Sequence, residues 1–306
     1  MKGDLKNEFS WSKSRDNVFT TCSRQYYYNY YAFWGGWAAD APEETRNIYI
    51  LKNLKTRQMW AGEHVHRAVH RSIQNLARGV DLLGVEQIIG ITLDTMRNEF
   101  RFSREGLYRK RKGCALFEHE YSLPVSDAQW KETAGVVETS LENFYRSEVF
   151  KSLTGLPGED FLEMEELSHF EFEGTRIWVV LDAAWRTADG LTIADWKTGK
   201  TDPGGHELQL TGYALYAAEK WQMDIADLTL VEYNLFTDRI HHYTVDRDTV
   251  ERTLTYIRGS IADMKSLLAD HVENIPLGEE RFPKVLVRRT CSRCNYQKVC
   301  KPELED

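Results

Sequence analysis

Between residues 45 and 101 apolar side chains recur at three- and four-residue spacing, which predicts helices over 45–78 and 81–101, and the same period returns at about 128–152. Further along, the period shortens to two. The stretch FEFEGTRIWVVLDAAWR alternates as two short strands about Glu173-Gly174, and LTIADWK is a third strand after the turn Ala188-Asp189-Gly190. A helical pattern follows over 205–221, then alternating runs at 227–236 and 239–245 that form a hairpin, then a long helix over 246–270. The order is helices, strands, helix, strands, helix and a Cys-rich tail.

The chain has 306 residues, of which 42% are apolar and 12% aromatic, enough for a packed core. It contains no internal repeat or low-complexity linker, and its seven prolines are scattered, so one domain over residues 1–306 is expected. No apolar run approaches the roughly 20 residues that span a bilayer, and the N-terminal segment lacks the apolar core of a secretory signal. The expectation is a cytoplasmic protein with no membrane partner. A net charge of −8 argues against a general nucleic-acid coat protein. Basic residues nevertheless gather at Arg101, Arg104 and Arg109 to Lys112, and again at Lys284, Arg288, Arg289, Arg293, Lys298 and Lys301. Each group is as readily a solvated face as a binding surface. Five cysteines, an odd number, disfavour a disulfide framework and favour a metal site.

Candidate chemistry begins in TIADWKTGK, residues 192–200. Strand alternation puts Asp195 and Lys197 on one face and Trp196 on the other. Across the hairpin, a two-residue Asp189-Gly190 loop sets Asp182 opposite Lys197, and a four-residue loop sets it opposite Asp195; in either case the three share a face. Cross-strand Cβ atoms lie only about 4.5–5.5 Å apart, close enough for two carboxylates to grip one cation. Standing alone, an Asp-x-Lys is more often a surface ion pair. Here Asp182 ends the apolar run Ile177 to Leu181, and Asp195 follows Ile193 and Ala194, so both end half-buried strands. Carboxylates so placed repel one another unless a positive centre compensates, and Mg²⁺ takes one or two carboxylates with water and phosphate oxygens. Such an ion activates water and offsets charge on a phosphodiester under attack, with a nearby lysine positioning the nucleophile.

The pattern Asp182…Asp195-Trp196-Lys197-Thr198-Gly199 resembles the D…(D/E)-x-K-T-G core of the PD-(D/E)XK nuclease superfamily, in particular its RecB-type branch. Gly62-Glu63-His64-Val65-His66 resembles the G-x-x-x-H motif of that branch, which implies that His66 is a further metal ligand. Without the other motifs His66 reads as a structural histidine; a zinc pair with His70 lacks an H-E-x-x-H motif. Gln209 to Tyr213 resembles the Q-x-x-x-Y motif; four apart, both residues lie on one helix face and can point at a DNA backbone or at Lys197. The tail Cys291-x-x-Cys294-x5-Cys300, with Cys22 far upstream, resembles the iron–sulfur nucleases of the AddB type and the CRISPR-associated exonucleases. There, one N-terminal and three C-terminal cysteines hold a [4Fe–4S] cluster. Four thiolates also suit zinc, although a zinc ribbon brings two close pairs. Ser10-Trp11-Ser12 with Cys22 resembles the entry motif of these enzymes, Ser23 replacing the usual proline. Cys114 has no motif partner, and the aromatics of 26–37 read first as core and secondly as a surface for stacking bases.

The resemblance implies an α/β fold with a restriction-endonuclease-like core: a central mixed sheet flanked by helices, a helical insertion at about 80–160 and a Cys-ligated tail. It implies a Mg²⁺- or Mn²⁺-dependent DNA nuclease, an exonuclease on single strands or free ends. Asp182, Asp195, His66 and the Trp196 carbonyl would hold the ion, Lys197 would act on the attacking water, and Gln209 and Tyr213 would position the strand. Cys22, Cys291, Cys294 and Cys300 would hold the cluster. The alternative is a catalytically silent or partner-activated DNA-binding scaffold of a helicase, adaptation or defence complex. No G-x-x-x-x-G-K-[ST] motif is present, so any unwinding falls to a helicase partner.

Overall fold

The computed structural model describes residues 6–188, 190–200 and 206–301. Asp189 of the anticipated turn and Gly205 at the anticipated helix start lie outside the described residues. The first helices are α1 (Lys13–Thr21), α2 (Ser23–Tyr27), α3 (Glu43–Lys52), α4 (Arg57–Ala77), α5 (Val85–Arg104), α6 (Phe117–Glu120), α7 (Asp127–Arg146) and α8 (Glu148–Thr154). Strands β1 (Phe161–Glu163), β2 (Leu167–Phe172), β3 (Thr175–Val180), β4 (Ala183–Thr187) and β5 (Gly190–Lys197) come next. After them run α9 (Glu207–Trp221), β6 (Leu228–Asn234), β7 (Arg239–Tyr243), α10 (Arg247–Lys265), β8 (Leu268–Asp270), β9 (Ile275–Pro276), α11 (Arg288–Cys291) and α12 (Gln297–Cys300).

Several boundaries differ from the periodic reading, and local capping explains two of them. The helix expected over 45–78 breaks because Thr56 turns extended and its side chain accepts from the Met59 N–H, starting α4 afresh. Ser147 does the same for α8 by accepting from the Phe150 N–H, which splits the helix expected over 128–152. TRIWVVLDAAWR is two strands, broken at Leu181-Asp182: β3 pairs with β2 in a separate ribbon, whereas β4 joins the main sheet. The last long helix stops at Lys265, and Leu268–Asp270 pairs with β9.

The chain divides into two compact units, one made of Lys55–Ser168 and Val179–Val250, the other of the segments before and after these together with His169–Trp178. The first unit holds a five-stranded sheet in the order β1-β4-β5-β6-β7. Strands β5 and β6 are parallel and are joined through α9 as a crossover, while the other pairs are antiparallel. This mixed sheet flanked by helices is the restriction-endonuclease-like arrangement. Trp196 and Tyr233 point into an apolar layer with Val65, Val69, Val137, Leu141 and Phe144 from α4 and α7. Helix α9 lies against β6, with Leu210, Ala214 and Ala217 buried. Gly190 opens β5 at φ 139°, and a Cβ there would lie 2.2 Å from the Asp227 carbonyl oxygen, so no other residue fits this close backbone approach.

In the second unit, Trp11 forms a bridge with β3: its N–H donates to the Arg176 carbonyl, and its own carbonyl accepts from the Trp178 N–H. Ser12 caps α1 by accepting from the Arg15 N–H. The buried Arg15 guanidinium donates to the hydroxyls of Tyr26 and Tyr31 and lies over the ring of Tyr30. The aromatic run is therefore largely core: Tyr26, Tyr28, Tyr31 and Phe33 are buried, while Trp37 is 42% exposed. Among the described residues no helix is long and apolar enough to cross a membrane.

Candidate functional site

Pairing of Thr187 with Gly190 and of Ala183 with Ala194 fixes the register of β4 on β5, and continuing it by one residue sets Asp182 opposite Asp195. Of the two alignments anticipated, the one with facing aspartates is found. Both carboxylates are buried, Asp182 at 9% and Asp195 at 2% exposure. The Trp196 N–H donates to Asp182 Oδ2 at 2.6 Å. In a strand the N–H and C=O of one residue point the same way and alternate with the next residue. Since the Lys197 carbonyl accepts from the Leu235 N–H on the β6 side, the Trp196 carbonyl is directed to the side of Asp182.

Helix α4 brings its own ligand type to this edge. A Cβ on Gly62 would stand 2.8 Å from Thr198 Oγ1, so the glycine lets the helix rest against the end of β5. One turn on, His66 Nδ1 lies 3.2 Å from Asp182 Oδ1 and 3.9 Å from Glu165 Oε1. Glu165, which sequence reasoning missed, sits between β1 and β2 in the left-handed region at φ 49°, with its N–H donating to the Leu181 carbonyl. One ligand atom each from His66, Glu165 and Asp182 lie within 4.8 Å of one another. His70, one turn further along α4, is not part of this group among the described residues.

The remaining site residues are held together by α9. Lys197 Nζ lies 2.5 Å from Asp195 Oδ2 and 3.4 Å from Gln209 Oε1. The Gln209 amide donates to Asp195 Oδ1 at 3.1 Å and to the Tyr213 hydroxyl, which itself lies 3.4 Å from Asp195 Oδ1. Of the two directions open to Gln209 and Tyr213, they take the one toward Lys197 and Asp195.

Electrostatics mark the site as short of positive charge. Burial, and then the charge of Asp182, push the Asp195 carboxyl up to about 6 despite Lys197. Burial and Asp182 also push Glu165 up. Burial opposes protonation of His66, but Asp182, Asp195 and Glu165 outweigh it and raise the imidazole to about 9. Asp195 Oδ2 is buried and, although close to Lys197, has no aligned hydrogen bond. Hard carboxylate oxygens, an imidazole and a strand carbonyl directed to one edge, with like charges crowding each other, suit a divalent cation.

In the other unit Cys22, Cys291, Cys294 and Cys300 line one small cavity, and all are free thiols. Cys22 falls between α1 and α2, so that Ser23 takes the first helical position, where proline is favoured because its missing N–H is not needed. Burial pushes the Cys294 thiol up to about 12, with the neighbouring cysteines adding to the rise against the Tyr296 N–H. Lys284 donates to the Cys300 carbonyl at 2.7 Å, and Tyr28 packs on Tyr296 with ring centres 5.2 Å apart, so the early and late segments of this unit meet around the cysteines. Cys114 is buried in the apolar core of the sheet unit.

Fold and site together define an α/β protein with two acidic strand ends, an Asp-x-Lys lysine and a helix-borne histidine at one end of the interior strands of the sheet. Residues 10–301 match the family model of the PD-(D/E)XK nuclease superfamily, and the chain belongs to that superfamily. Its nucleases typically work with Mg²⁺ or Mn²⁺. No curated protein matches the sequence. Among solved structures, one described as "Crystal structure of SSO0001" aligns at 19% identity over 62% of this chain and 80% of that chain, with a TM-score of 0.28.

Proposed function

We propose that this chain is a Mg²⁺- or Mn²⁺-dependent deoxyribonuclease of the RecB-type branch, an exonuclease acting on single strands or free ends. The observation that carries the reading is the convergence of His66, Glu165 and Asp182 beside the Asp195–Lys197 pair. These four acidic and imidazole side chains, with the Trp196 carbonyl, would hold the ion. Bound there, the ion supplies Lewis acidity toward a phosphodiester and a more acidic water. The Lys197 ammonium, oriented by Asp195 and Gln209, directs the attacking water, and Tyr213 fixes Gln209 in turn.

The four cysteines fit a [4Fe–4S] cluster better than zinc. A zinc ribbon brings two close pairs of ligands, whereas here Cys22 stands far upstream of Cys291, Cys294 and Cys300. A cluster would staple the early and late segments of its unit. The test is anaerobic purification followed by Mn²⁺ assays on end-labelled single- and double-stranded DNA. Cleavage by the wild type that is lost in Lys197→Ala is expected, along with broad visible absorbance that disappears in Cys294→Ser. Equal cleavage by Lys197→Ala overturns the catalytic assignment, and a colourless protein with stoichiometric zinc overturns the cluster.

A further inference from the structure

One face of α5 and one face of α7 border an open cavity of about 650 Å³ in the sheet unit, within the size range of ligand sites. The two helices present residues at helical spacing, Leu93, Met96 and Phe100 from α5 and Trp130 and Ala134 from α7, with the Trp60 side chain of α4 also lining the cavity. The walls are thus apolar and aromatic. The rim is not: Arg97, Arg101, Arg104 and Lys131 stand there against only Asp127 and Glu138. The Arg97 pair with Asp94 is well exposed and screened, leaving its charge available. The Arg104 guanidinium lies over the Phe100 ring at 5.5 Å. Three of these cations follow one stripe of α5 at i, i+4 and i+7, and α5 leads directly into the exposed segment Lys110-Arg111-Lys112.

We propose that this groove binds an unpaired stretch of nucleic acid, with a base against Trp130 and its phosphates on Arg101, Arg104 and Lys131. The combination of a π surface in the floor and a cationic rim is what single strands need, because stacking is indifferent to sequence and backbone charge requires Lys and Arg. A protein helix would match the apolar floor but not a rim with this excess of positive charge. Trp60 precedes His66 by six residues, about 9 Å along the axis of α4, so a strand in the groove is within a few nucleotides of the metal-ligating cluster. The inference rests on the nuclease reading only for the class of ligand.

The test is kept free of cleavage by working in EDTA. Fluorescence anisotropy with a labelled oligothymidylate is measured for the wild type, the double variant Arg101→Glu with Lys131→Glu, and the double variant Arg101→Lys with Lys131→Arg. The charge-reversed protein is expected to bind at least about tenfold more weakly, with its log–log salt slope reduced by roughly 1.4 for two lost phosphate contacts. The charge-conserving protein is expected to keep both affinity and slope. Trp130→Leu, checked for folding by circular dichroism, weakens binding by roughly tenfold without changing the slope, because it removes stacking and no charge. Mn²⁺-dependent hydrolysis of bis-p-nitrophenyl phosphate by the charge-reversed protein stays at the wild-type rate. A wild type that does not hydrolyse the small diester defeats the nuclease reading and leaves the anisotropy result standing. A wild type that does not bind the oligonucleotide, or a charge-reversed protein that binds it equally well, overturns the groove as a nucleic-acid site.

Discussion

The Trp196 backbone N–H and Asp182 Oδ2, 2.6 Å apart, tie the end of β5 to the residue that precedes β4. The same carboxylate offers its other oxygen to His66 at 3.2 Å, so one side chain belongs both to the strand junction and to the candidate metal cluster.

These two duties separate by mutation. Asp182→Asn keeps an acceptor for the Trp196 N–H while removing the charge that crowds Asp195. It is expected to abolish Mn²⁺-dependent cleavage at a melting temperature equal to or above the wild type. Asp182→Ala leaves a buried N–H unpaired and is expected to cost a further 1–3 kcal/mol or so. Thermal melts beside cleavage rates check both; an asparagine variant that still cuts DNA at the wild-type rate refutes the role of Asp182.

Gly62 and Thr198 make a second separable pair. A methyl at 62 meets Thr198 Oγ1 at 2.8 Å, so Gly62→Ala must either turn the Thr198 side chain or shift α4 at the end of β5. Overpacking of about 1–3 kcal/mol exceeds the roughly 1 kcal/mol that alanine gains in a helix interior, so net destabilisation is expected, with His66 shifted from Asp182 and activity reduced. Adding Thr198→Ala removes the obstructing hydroxyl and should restore most of the lost stability. A double-mutant cycle showing simple additivity contradicts this contact.

Metal binding should compete with protons in two stages. His66 is raised to about 9, so between pH 9 and 6 a proton must leave it before its nitrogen can ligate. Apparent Mn²⁺ affinity should fall about tenfold per pH unit as pH drops through that window. Below about 6 Asp195 also becomes protonated, and the dependence steepens toward two protons per ion. Titration of Mn²⁺ binding across this range by calorimetry decides the matter, and a flat profile from pH 9 to 6 excludes His66 as a ligand.

How much of this was legible in the sequence depended on whether a residue followed a period. The shared face of Asp182, Asp195 and Lys197 follows from two-residue alternation alone, and four-residue spacing puts Gln209 and Tyr213 on one face of α9. Glu165 follows no period. It enters the site from a short connection after a three-residue strand, through a left-handed backbone that nothing in Glu163-Met164-Glu165-Glu166 announces. The only available signal was an acidic run ahead of the strands. The breaks at Thr56 and Ser147 were hidden for the opposite reason: the apolar period continues through them, and only the capping hydroxyls mark the stops. The Gly62 contact also needed the fold, since it depends on where α4 meets β5.

A pH effect on stability, independent of metal, is expected at Glu99. Burial alone would raise this carboxyl, but hydrogen bonds with His64 and Trp60 and the charges of His64 and Arg67 lower it from 4.5 to about 2. A depressed carboxylate contributes stability above its unfolded value, and that contribution is lost as pH falls from about 4.5 through 2. Allowing for partial solvent screening, about 1–2 kcal/mol is at stake. Glu99→Gln should therefore be less stable than the wild type at pH 7 and nearly equal to it at pH 2 by denaturant titration. A stability difference that does not narrow on acidification rules out this coupling.

The division of the chain also imposes an order in time. Every residue of the sheet unit has been synthesised by Val250, whereas Cys22 must wait for Cys291, Cys294 and Cys300 in the last stretch to emerge. At about 5–20 residues per second, the intervening segment takes several seconds to appear. During that interval the sheet unit can already close around its acidic residues while the four thiols are still apart. On the proposed cluster assignment, iron and sulfide would be needed only once Cys291, Cys294 and Cys300 have emerged, and cells short of either would accumulate a folded sheet unit joined to an unfinished partner.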